Sequence, residues 1–235
     1  MRFLFILCLF PALLVAQPTA ERTCRILFLD APDEAPSKLI LFDGTTAQEV
    51  DLPRMNLSRI YTLPAGAIRL RMLSTRPADA SAIPAGAPAV EVPEATGDIY
   101  LILAHDSANT VAPVRMQIVN AAANRLGPGQ MLWINLTPNA VGGLVGSEKL
   151  NMAAQSCVIL NAPASGPTDY EVRLACRIPG EANSRPICQT KWLHDPRSRM
   201  LVFVIGDQAK RSPRVMAFPD YREPKQSPSV TAVGR

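Results

Sequence analysis

Apolar and polar residues alternate with a period of two along much of this 235-residue chain. Residues 68–72 read IRLRM and residues 114–118 read VRMQI, so that every second side chain is apolar. Successive side chains of a β-strand point to opposite faces, whereas the pattern of an amphipathic helix repeats about every 3.6 residues. The alternation therefore predicts strands that bury one face in a core and expose the other to water.

Other segments are apolar at almost every position, which is typical of central strands in a β-sandwich. They are residues 26–29, 39–42, 100–103 and 200–205. Turn residues such as Asp43-Gly44 and Pro179-Gly180 fall between the segments, and 22 prolines leave little room for long helices. Only residues 146–154 suggest a short helix. The chain is predicted to be all-β.

Four segments of the first half recur in the second half in the same order. The matching pairs are 98–103 with 198–203, 113–116 with 213–216, 68–72 with 172–176, and 25–30 with 131–136. Their offsets are 100, 100, 104 and 106, and only the intervening loops change length. One such match could arise by chance among apolar strands, but four in order favour a duplication. We predict two tandem antiparallel β-sandwich modules of the Ig-like kind.

The composition along the chain predicts the limits of these modules. The first repeat is expected to span residues 21–122 and the second residues 128–222. Residues 121–130 (AAANRLGPGQ) between them lose the strand pattern and gain glycine and proline. Residues 223–235 have no apolar periodicity and are predicted to form a flexible tail.

Residues 1–20 (MRFLFILCLFPALLVAQPTA) have the charge, length and order of a secretory signal peptide. The apolar stretch, residues 3–16, is shorter than the ~20 residues that a transmembrane helix needs. Cleavage after Ala20 is expected, with Ala16 as the alternative. We predict a periplasmic or extracellular protein with no integral membrane segment once the leader is removed.

Removal of Cys8 with the leader leaves Cys24, Cys157, Cys176 and Cys188, an even number in a chain sent to an oxidising compartment. A disulfide is predicted between Cys176 and Cys188, because both occupy the apolar phase of neighbouring alternating segments. Cys24 and Cys157 would then form the only other possible bridge, which nothing local supports. A zinc site is the less favoured alternative, since the chain has no C-x-x-C pair and only two histidines.

The predicted disulfide implies a specific hairpin register. If residues 170–176 pair with the segment that contains Cys188, a constant index sum of 364 places Leu174 opposite Thr190. The same sum places Val172 opposite Trp192. Residues 179–186 would form the connecting loop.

Two landmarks of the first repeat resemble a family of secreted bacterial β-sandwich domains of unknown function. Residues 30–44 (DAPDEAPSKLILFDG) are similar to the family's opening, in which a Pro-Asp-Ala-Pro stretch leads into a strand that ends in Asp-Gly. Residues 63–70 (LPAGAIRL) are similar to its second landmark, a glycine-containing turn before an alternating strand. The second repeat departs from both landmarks. The resemblance implies an extracytoplasmic sandwich and no particular activity.

The chain contains no recognisable catalytic or cofactor motif. His105-Asp106-Ser107 holds the residue types of a hydrolase triad, but consecutive residues of a strand point in opposite directions and cannot converge. His194-Asp195-Pro196 fits a turn. A nucleophile elbow, a phosphate loop, a zincin motif and a calcium loop are all absent from the sequence. We therefore predict no catalytic, cofactor-binding or metal-binding residues.

Charge and aromatic residues suggest two weaker hypotheses. Arg54, Arg59, Arg69 and Arg71 could form a basic patch for an anionic polymer, although outward arginines on an amphipathic strand are ordinary. Trp133 and Trp192 could stack on sugars, although large aromatic residues within strands are more often core. The net charge is +4, or +3 without Arg2, and is spread along the chain, so no nucleic-acid partner is expected.

These observations predict a secreted or periplasmic, non-catalytic protein with a structural or protein-interaction role in a bacterial cell envelope. Its partner would be an unknown envelope protein or polymer, and no cofactor is implied. The alternative is a carbohydrate-binding protein or a hydrolase whose site is assembled from distant loops. An exposed row of aromatic residues, or a cleft that joins His105 or His194 to a carboxylate, would favour the alternative.

Overall fold

A computed structural model of the chain describes residues 22–121, 126–206 and 212–222. The predicted leader and tail, and part of the predicted junction, lie outside these residues. Within them the regular structure is sixteen β-strands and one short 3₁₀ helix, Ala80–Ala82. The all-β prediction is confirmed. The helix suggested for 146–154 is wrong, because these residues contain the turn and second strand of a hairpin.

The first eight strands form two four-stranded sheets, which together make module 1. Sheet A has the order β4-β1-β7-β8 and sheet B the order β3-β2-β5-β6. The strands are β1 Arg22–Phe28, β2 Lys38–Phe42, β3 Ala47–Asp51, β4 Tyr61–Leu63, β5 Ile68–Leu73, β6 Ala89–Val92, β7 Ile99–His105 and β8 Val114–Asn120.

The last eight strands repeat this arrangement as module 2. Sheet C has the order β12-β9-β15-β16 and sheet D the order β11-β10-β13-β14, each strand eight places after its counterpart. The strands are β9 Met131–Asn135, β10 Ala140–Val145, β11 Glu148–Met152, β12 Cys157–Leu160, β13 Thr168–Arg177, β14 Arg185–His194, β15 Ser198–Ile205 and β16 Arg214–Tyr221. The internal duplication therefore extends to strand order and pairing.

One pair of strands in each module departs from the expected antiparallel arrangement. The strands β1 and β7 run parallel in sheet A, and β9 and β15 run parallel in sheet C. All other pairs are antiparallel. Parallel neighbours need a long connection, and here the whole of sheet B or sheet D lies between them in sequence.

Sheets A and C are buried on both faces. Their inner faces pack on sheets B and D, where one core contains Ile26, Leu101 and Leu70 and the other contains Trp133 and Val202. A third apolar cluster joins the opposite faces of sheets A and C. Its larger members are Leu27, Tyr100 and Ile102 of sheet A and Leu132, Leu201, Phe203 and Phe218 of sheet C. The described strands therefore stack in four layers, in the order B, A, C, D.

This stacking explains the apolar segments that lack alternation. A strand covered on both faces needs apolar residues in both phases, so 26–29, 100–103 and 200–205 are almost uninterrupted. Phe203 and Phe218 meet edge to face in the layer between the modules, with ring centroids 5.9 Å apart.

The structure corrects three of the offsets that align the repeats. The amide of Leu29 donates to the carbonyl of Leu103, and the amide of Leu136 donates to the carbonyl of Val204. The offset is therefore 107 between β1 and β9 and 101 between β7 and β15. The offset between β8 and β16 is 99, because Met116 pairs with Leu103 in the same way that Val215 pairs with Val204.

The corrections of one residue matter because a slip of one position exchanges the two faces of a strand. The predicted offset of 100 would align core residues of one module with residues of the other module that lie in the layer between the modules. The predicted offset of 104 between β5 and β13 aligns core residues with core residues, because 68–72 and 172–176 both turn their apolar side chains inward.

Candidate functional site

The two histidines do not form a catalytic arrangement in the described part of the chain. His105 ends β7, and the carboxylate of the next residue, Asp106, accepts a hydrogen bond from the amide of Ala108. His194 is buried at the end of β14. No hydrogen bond or ion pair joins either imidazole to a carboxylate among the described residues.

Asp195, which follows His194, caps a turn. Its carboxylate accepts a hydrogen bond from the amide of Arg197, 3.0 Å away. That bond, which outweighs the opposing effect of burial, is the main reason why the pKa of Asp195 is lowered. The two His-Asp pairs are thus polar ends of strands.

Three of the four arginines of the hypothesised basic patch have partners within the chain. The guanidinium of Arg54 donates to the carbonyl of Ala35 at 2.6 Å, and that of Arg59 lies 4.9 Å above the ring of Tyr61. Arg69 lies 3.4 Å from the Glu91 carboxylate on the neighbouring strand. The interpretation as ordinary surface arginines fits these contacts better than a shared polymer site.

The two tryptophans stack on each other. Trp133 is completely buried, and its ring lies parallel to that of Trp192 at a centroid distance of 5.7 Å. Tyr170 meets Trp192 edge-on at 6.2 Å. Both rings belong to the core of module 2, so Trp133 offers no platform for a sugar. Among the described residues Tyr221 is the one aromatic side chain in the set of exposed large apolar residues.

The predicted disulfide between Cys176 and Cys188 is not formed in this structure, where both are free thiols. Cys188 lies opposite Leu174, and Cys176 lies opposite Arg185. The residue numbers of paired positions add up to 362 before the bulge at Leu174 and Ala175 and to 361 after it, whereas the prediction requires 364. The predicted register rests on alternation alone, which fixes the phase of a strand and does not fix its translation by two residues.

A buried ionic cluster lies at one end of the layer between the modules. The carboxylate of Asp220 in β16 has no exposed surface and forms ion pairs with Arg25, Arg199 and Arg222. Tyr100 donates its hydroxyl hydrogen to the same carboxylate at 2.5 Å. Two of these four partners, Arg25 and Tyr100, belong to module 1, so the cluster links the two modules.

The ionisation of this cluster follows from its contacts. Burial acts to raise the pKa of Asp220, but the hydrogen bonds from Tyr100 and Arg25 and the charges of Arg222 and Arg199 outweigh it and leave the pKa lowered. Burial, with the charge of Asp220, raises the pKa of the Tyr100 hydroxyl. Asp220 is therefore held as an anion and Tyr100 as a neutral donor.

The outer faces of sheets B and D differ, although the duplication makes them equivalent. In sheet B, Ile40, Phe42 and Leu73 point outward and are buried by residues 74–88, the connection between β5 and β6. Ile83 and Ala87 of this connection pack on them. Arg76 donates to the carbonyl of Ala47, and the Asn109 side chain donates to the carbonyl of Gly86 at 3.1 Å, which fixes the connection in place.

The same positions of sheet D hold small or charged residues. Ile40 pairs with Leu73 in module 1, and the equivalent pair in module 2 is Ala140 with Arg177. Phe42 corresponds to Gly142, which pairs with Ala175. The connection between β13 and β14 is only 178–184, because both strands are longer than their counterparts. The outer face of sheet D consequently carries a depression instead of an apolar patch.

This depression, which we call the cross-strand trough, crosses all four strands of sheet D. Its floor is one row of neighbours in register, Pro186, Ala175, Gly142 and Asn151. It consists of two adjoining hollows of about 460 and 430 Å³ that share Gly142, Gly143 and Ala175. The other lining residues are Ala140, Val141, Arg173, Leu174, Arg177, Ser184, Ile187, Cys188 and Gln189.

Gly143 is required by the pairing under the trough. Its φ is +158°, and a Cβ on it would lie 1.9 Å from the carbonyl oxygen of Arg173. Any side chain would therefore force β10 away from β13. At Gly142 a Cβ would meet the carbonyl oxygen of Leu150 at 3.3 Å, a tight contact. Two successive glycines thus keep the backbone of β10 bare and closely packed.

The charged groups that line the trough are both cationic. Arg173 and Arg177 stand four residues apart on β13, on either side of Ala175, and no aspartate or glutamate is among the lining residues. Arg173 also contacts Glu171 at 2.9 Å, in a half-exposed pair. Arg177 has no ion pair within the described residues. Sequence reasoning missed this site, because it compared the repeats for similarity and not for differences.

The described ranges contain neither a helix suited to cross a membrane nor a group of side chains suited to hold a metal ion. No helix there combines the length and the apolar character that a membrane crossing requires. No group of three or more His, Cys, Asp or Glu side chains in the same ranges is arranged to hold a metal ion.

Comparison with known proteins gives no assignment. No family model matches the chain, and no curated protein is significantly similar to it in sequence.

Proposed function

We propose that this chain is an exported, non-catalytic protein with a protein-interaction role in a bacterial cell envelope, and that it binds its partner on the outer face of sheet D. The observation that carries this proposal is the difference between two equivalent faces. Module 1 covers Ile40, Phe42 and Leu73 on the outer face of sheet B with its own residues 74–88, whereas module 2 leaves the cross-strand trough open.

The rigid connection between the modules supports a scaffold role. The apolar layer between sheets A and C excludes water, and the cluster around Asp220 lies beside it with its charges paired. A buried carboxylate that is paired and hydrogen-bonded restricts the geometry in which the two surfaces can meet. The trough would thus be presented on a body that does not bend between its halves.

Export is proposed from the sequence of residues 1–20 and is tested separately. The full chain is expressed in a bacterial host, and the cells are fractionated. We expect the protein in the periplasm or medium with an amino terminus at Glu21 or Gln17, as found by terminal sequencing. Recovery from the cytoplasm with residues 1–20 intact would contradict the proposal.

The interaction role is tested by photocrosslinking from matched positions. Gln189 faces Arg173 on sheet D as Glu91 faces Arg69 on sheet B, and the two arginines are equivalent in the repeats. A benzophenone amino acid is placed at Gln189 or at Glu91, and whole cells are irradiated. We expect an exported protein, identified by mass spectrometry, to be crosslinked from position 189 and not from position 91.

The specificity of that crosslink is checked by filling the trough. Ala175→Phe places a large side chain on its floor and should abolish the crosslink from position 189 while the melting temperature stays within a few degrees. Equal crosslinking from both positions, or from the filled variant, would contradict the proposed surface. Hydrolysis of a glycan or a peptide by the purified protein would contradict the non-catalytic role.

A further inference from the structure

We propose that the cross-strand trough binds an extended, acidic polypeptide segment, an inference that rests on the proposed function and specifies the chemistry of its partner. Four aspects of the trough support this occupant: its dimensions, its floor, its charges and the way module 1 fills the same place.

The dimensions fit a short extended segment. Neighbouring strands of a sheet lie about 4.8 Å apart, so a row across four strands is about 14 Å long. An extended chain rises about 3.3 Å per residue, so this length accommodates about four residues. Arg173 and Arg177 are four positions apart on one strand, so their Cα atoms are separated by about 13 Å, enough for a chain to lie between them.

The floor allows a backbone to approach closely. Gly142 and Ala175, the central pair, carry no atoms beyond Cβ. Asn151 and Pro186 end the row, and Ser184 and Gln189 stand beside it. The amides and the hydroxyl can donate to and accept from peptide groups of an occupant, whose own N–H and C=O groups would otherwise lose water without compensation.

The charges favour carboxylates. A guanidinium binds a carboxylate through two parallel hydrogen bonds and cannot lose its proton at physiological pH. Arg177 has no ionic partner among the described residues, and Arg173 is held only by the half-exposed Glu171. Exposed ion pairs of that kind contribute little to stability, so a partner carboxylate can compete for Arg173. An acidic side chain on each side of the segment would satisfy both arginines.

Module 1 shows that polypeptide can cover this face. Its residues 74–88 lie over the equivalent surface of sheet B, fixed by hydrogen bonds such as the one from Asn109 to the carbonyl of Gly86. There the contact is apolar, since Ile83 packs on Ile40 and Phe42. In module 2 the equivalent residues are small or cationic and the β13–β14 connection is short, so we expect the matching segment to come from another chain and to be acidic.

A polysaccharide fits this face less well. Sugar rings are commonly bound by stacking on an aromatic side chain, since one face of a sugar ring is apolar. No aromatic residue lines the trough. An anionic polysaccharide is therefore treated as a competing outcome of the test.

The test uses the full exported chain and a fluorescein-labelled peptide, Ala-Glu-Glu-Ala repeated twice, whose adjacent Glu side chains point to opposite sides of an extended chain. Peptides with Gln or Lys in place of Glu are the controls. Fluorescence anisotropy should show saturable binding of the Glu peptide only, weakened as salt is added. The double variant Arg173→Gln with Arg177→Gln should bind at least tenfold more weakly, as should Ala175→Phe. Arg69→Gln, the matched change on sheet B, should leave the affinity unchanged. Melting curves verify that each variant is folded.

Several results would overturn the inference. These are equal binding of the Gln peptide, unchanged affinity in the double variant, and binding of an oligogalacturonate where the Glu peptide fails. If the protein self-associates in sedimentation and Ala175→Phe abolishes this self-association, the occupant of the trough is a second copy of the chain. If deletion of residues 223–235 makes the peptide bind at least tenfold more tightly, the occupant is the chain's own end. If no probe binds while the crosslink from position 189 persists, the acidic partner is wrong and the proposed function stands.

Discussion

Tyr100 of module 1 donates its hydroxyl hydrogen to the carboxylate of Asp220 in module 2, with Oη and Oδ2 2.5 Å apart. The two residues are 120 positions apart in the chain. Each is completely buried, and both lie where sheets A and C meet. This contact places a neutral donor beside a carboxylate that also pairs with three arginines, so one buried anion contributes to the junction of the two modules.

Asp220→Asn should therefore destabilise the whole protein. The change leaves Arg25 and Arg199 without an anion, and Arg222 with Asp98 alone, in a site with little access to water. Loss of one member of a buried ionic pair typically costs about 3 to 5 kcal/mol. Tyr100→Phe, which removes a hydrogen bond to a charged group, should cost about 1.5 to 3 kcal/mol. Urea denaturation followed by circular dichroism measures both. Asp33→Asn, at an exposed carboxylate, is the control and should change the midpoint little.

The same carboxylate predicts a pH dependence. The pKa of Asp220 is lowered in the folded protein, so its contribution to stability is fully present above the unfolded value of about 3.9. The contribution is lost as the pH falls from there through the folded pKa. The stability difference between the wild type and Asp220→Asn should thus be constant at pH 5 to 7 and shrink below pH 4. A difference that grows on acidification would contradict this assignment.

The free cysteines should differ in reactivity. Cys157 is exposed, Cys188 is half-buried with a raised pKa, and burial raises the pKa of Cys24 to about 12. Since the thiolate is the reactive form, iodoacetamide should label Cys157 first and Cys188 slowly. Cys24 and Cys176, both buried, should react only after unfolding. Mass spectrometric peptide mapping follows each site.

A reducing agent provides the complementary measurement for these cysteines. Because the structure contains free thiols at Cys176 and Cys188, dithiothreitol should not change the melting temperature of the purified protein. A drop of several degrees on reduction, together with a cross-linked peptide that holds both residues, would show that the hairpin register differs from the one described.

Gly143→Ala should disrupt sheet D. An added Cβ would overlap the carbonyl oxygen of Arg173, so β10 and β13 have to separate. We expect a loss of more than about 2 kcal/mol, typical of strain at a special backbone position. Gly166→Ala is the control, because nothing lies within 4 Å of its added Cβ and its φ is not in the positive range. Equal stability of the two variants, by urea denaturation, would contradict the close approach.

Strand periodicity and the order of the repeats could be predicted because they depend on local alternation. Residues 68–72 and 172–176 show their inward phase directly in sequence. In contrast, 100–103 and 200–205 are apolar in both phases, because sheets A and C are covered on both sides. The similarity of these two segments could not distinguish an offset of 101 from one of 100, since both offsets align apolar residues with apolar residues.

The disulfide register and the candidate site were missed for different reasons. The bulge at Leu174 and Ala175 changes the pairing by one residue, and alternation gives no signal for it. The trough did leave a signal, since Ile40 and Phe42 correspond to Ala140 and Gly142. Its meaning depends on residues 74–88 folding over sheet B, a tertiary contact that no local pattern records.

The position of β1 in the centre of sheet A delays folding during synthesis. This strand pairs with β4 on one side and, in parallel, with β7 on the other. Ile26 cannot pair with Leu101 until β7 has been synthesised. The same holds for β9 and β15. Contacts between residues so distant in sequence are associated with folding times of milliseconds to seconds. The first sheet of each module therefore cannot be completed until the second-last strand of that module, β7 or β15, has been synthesised.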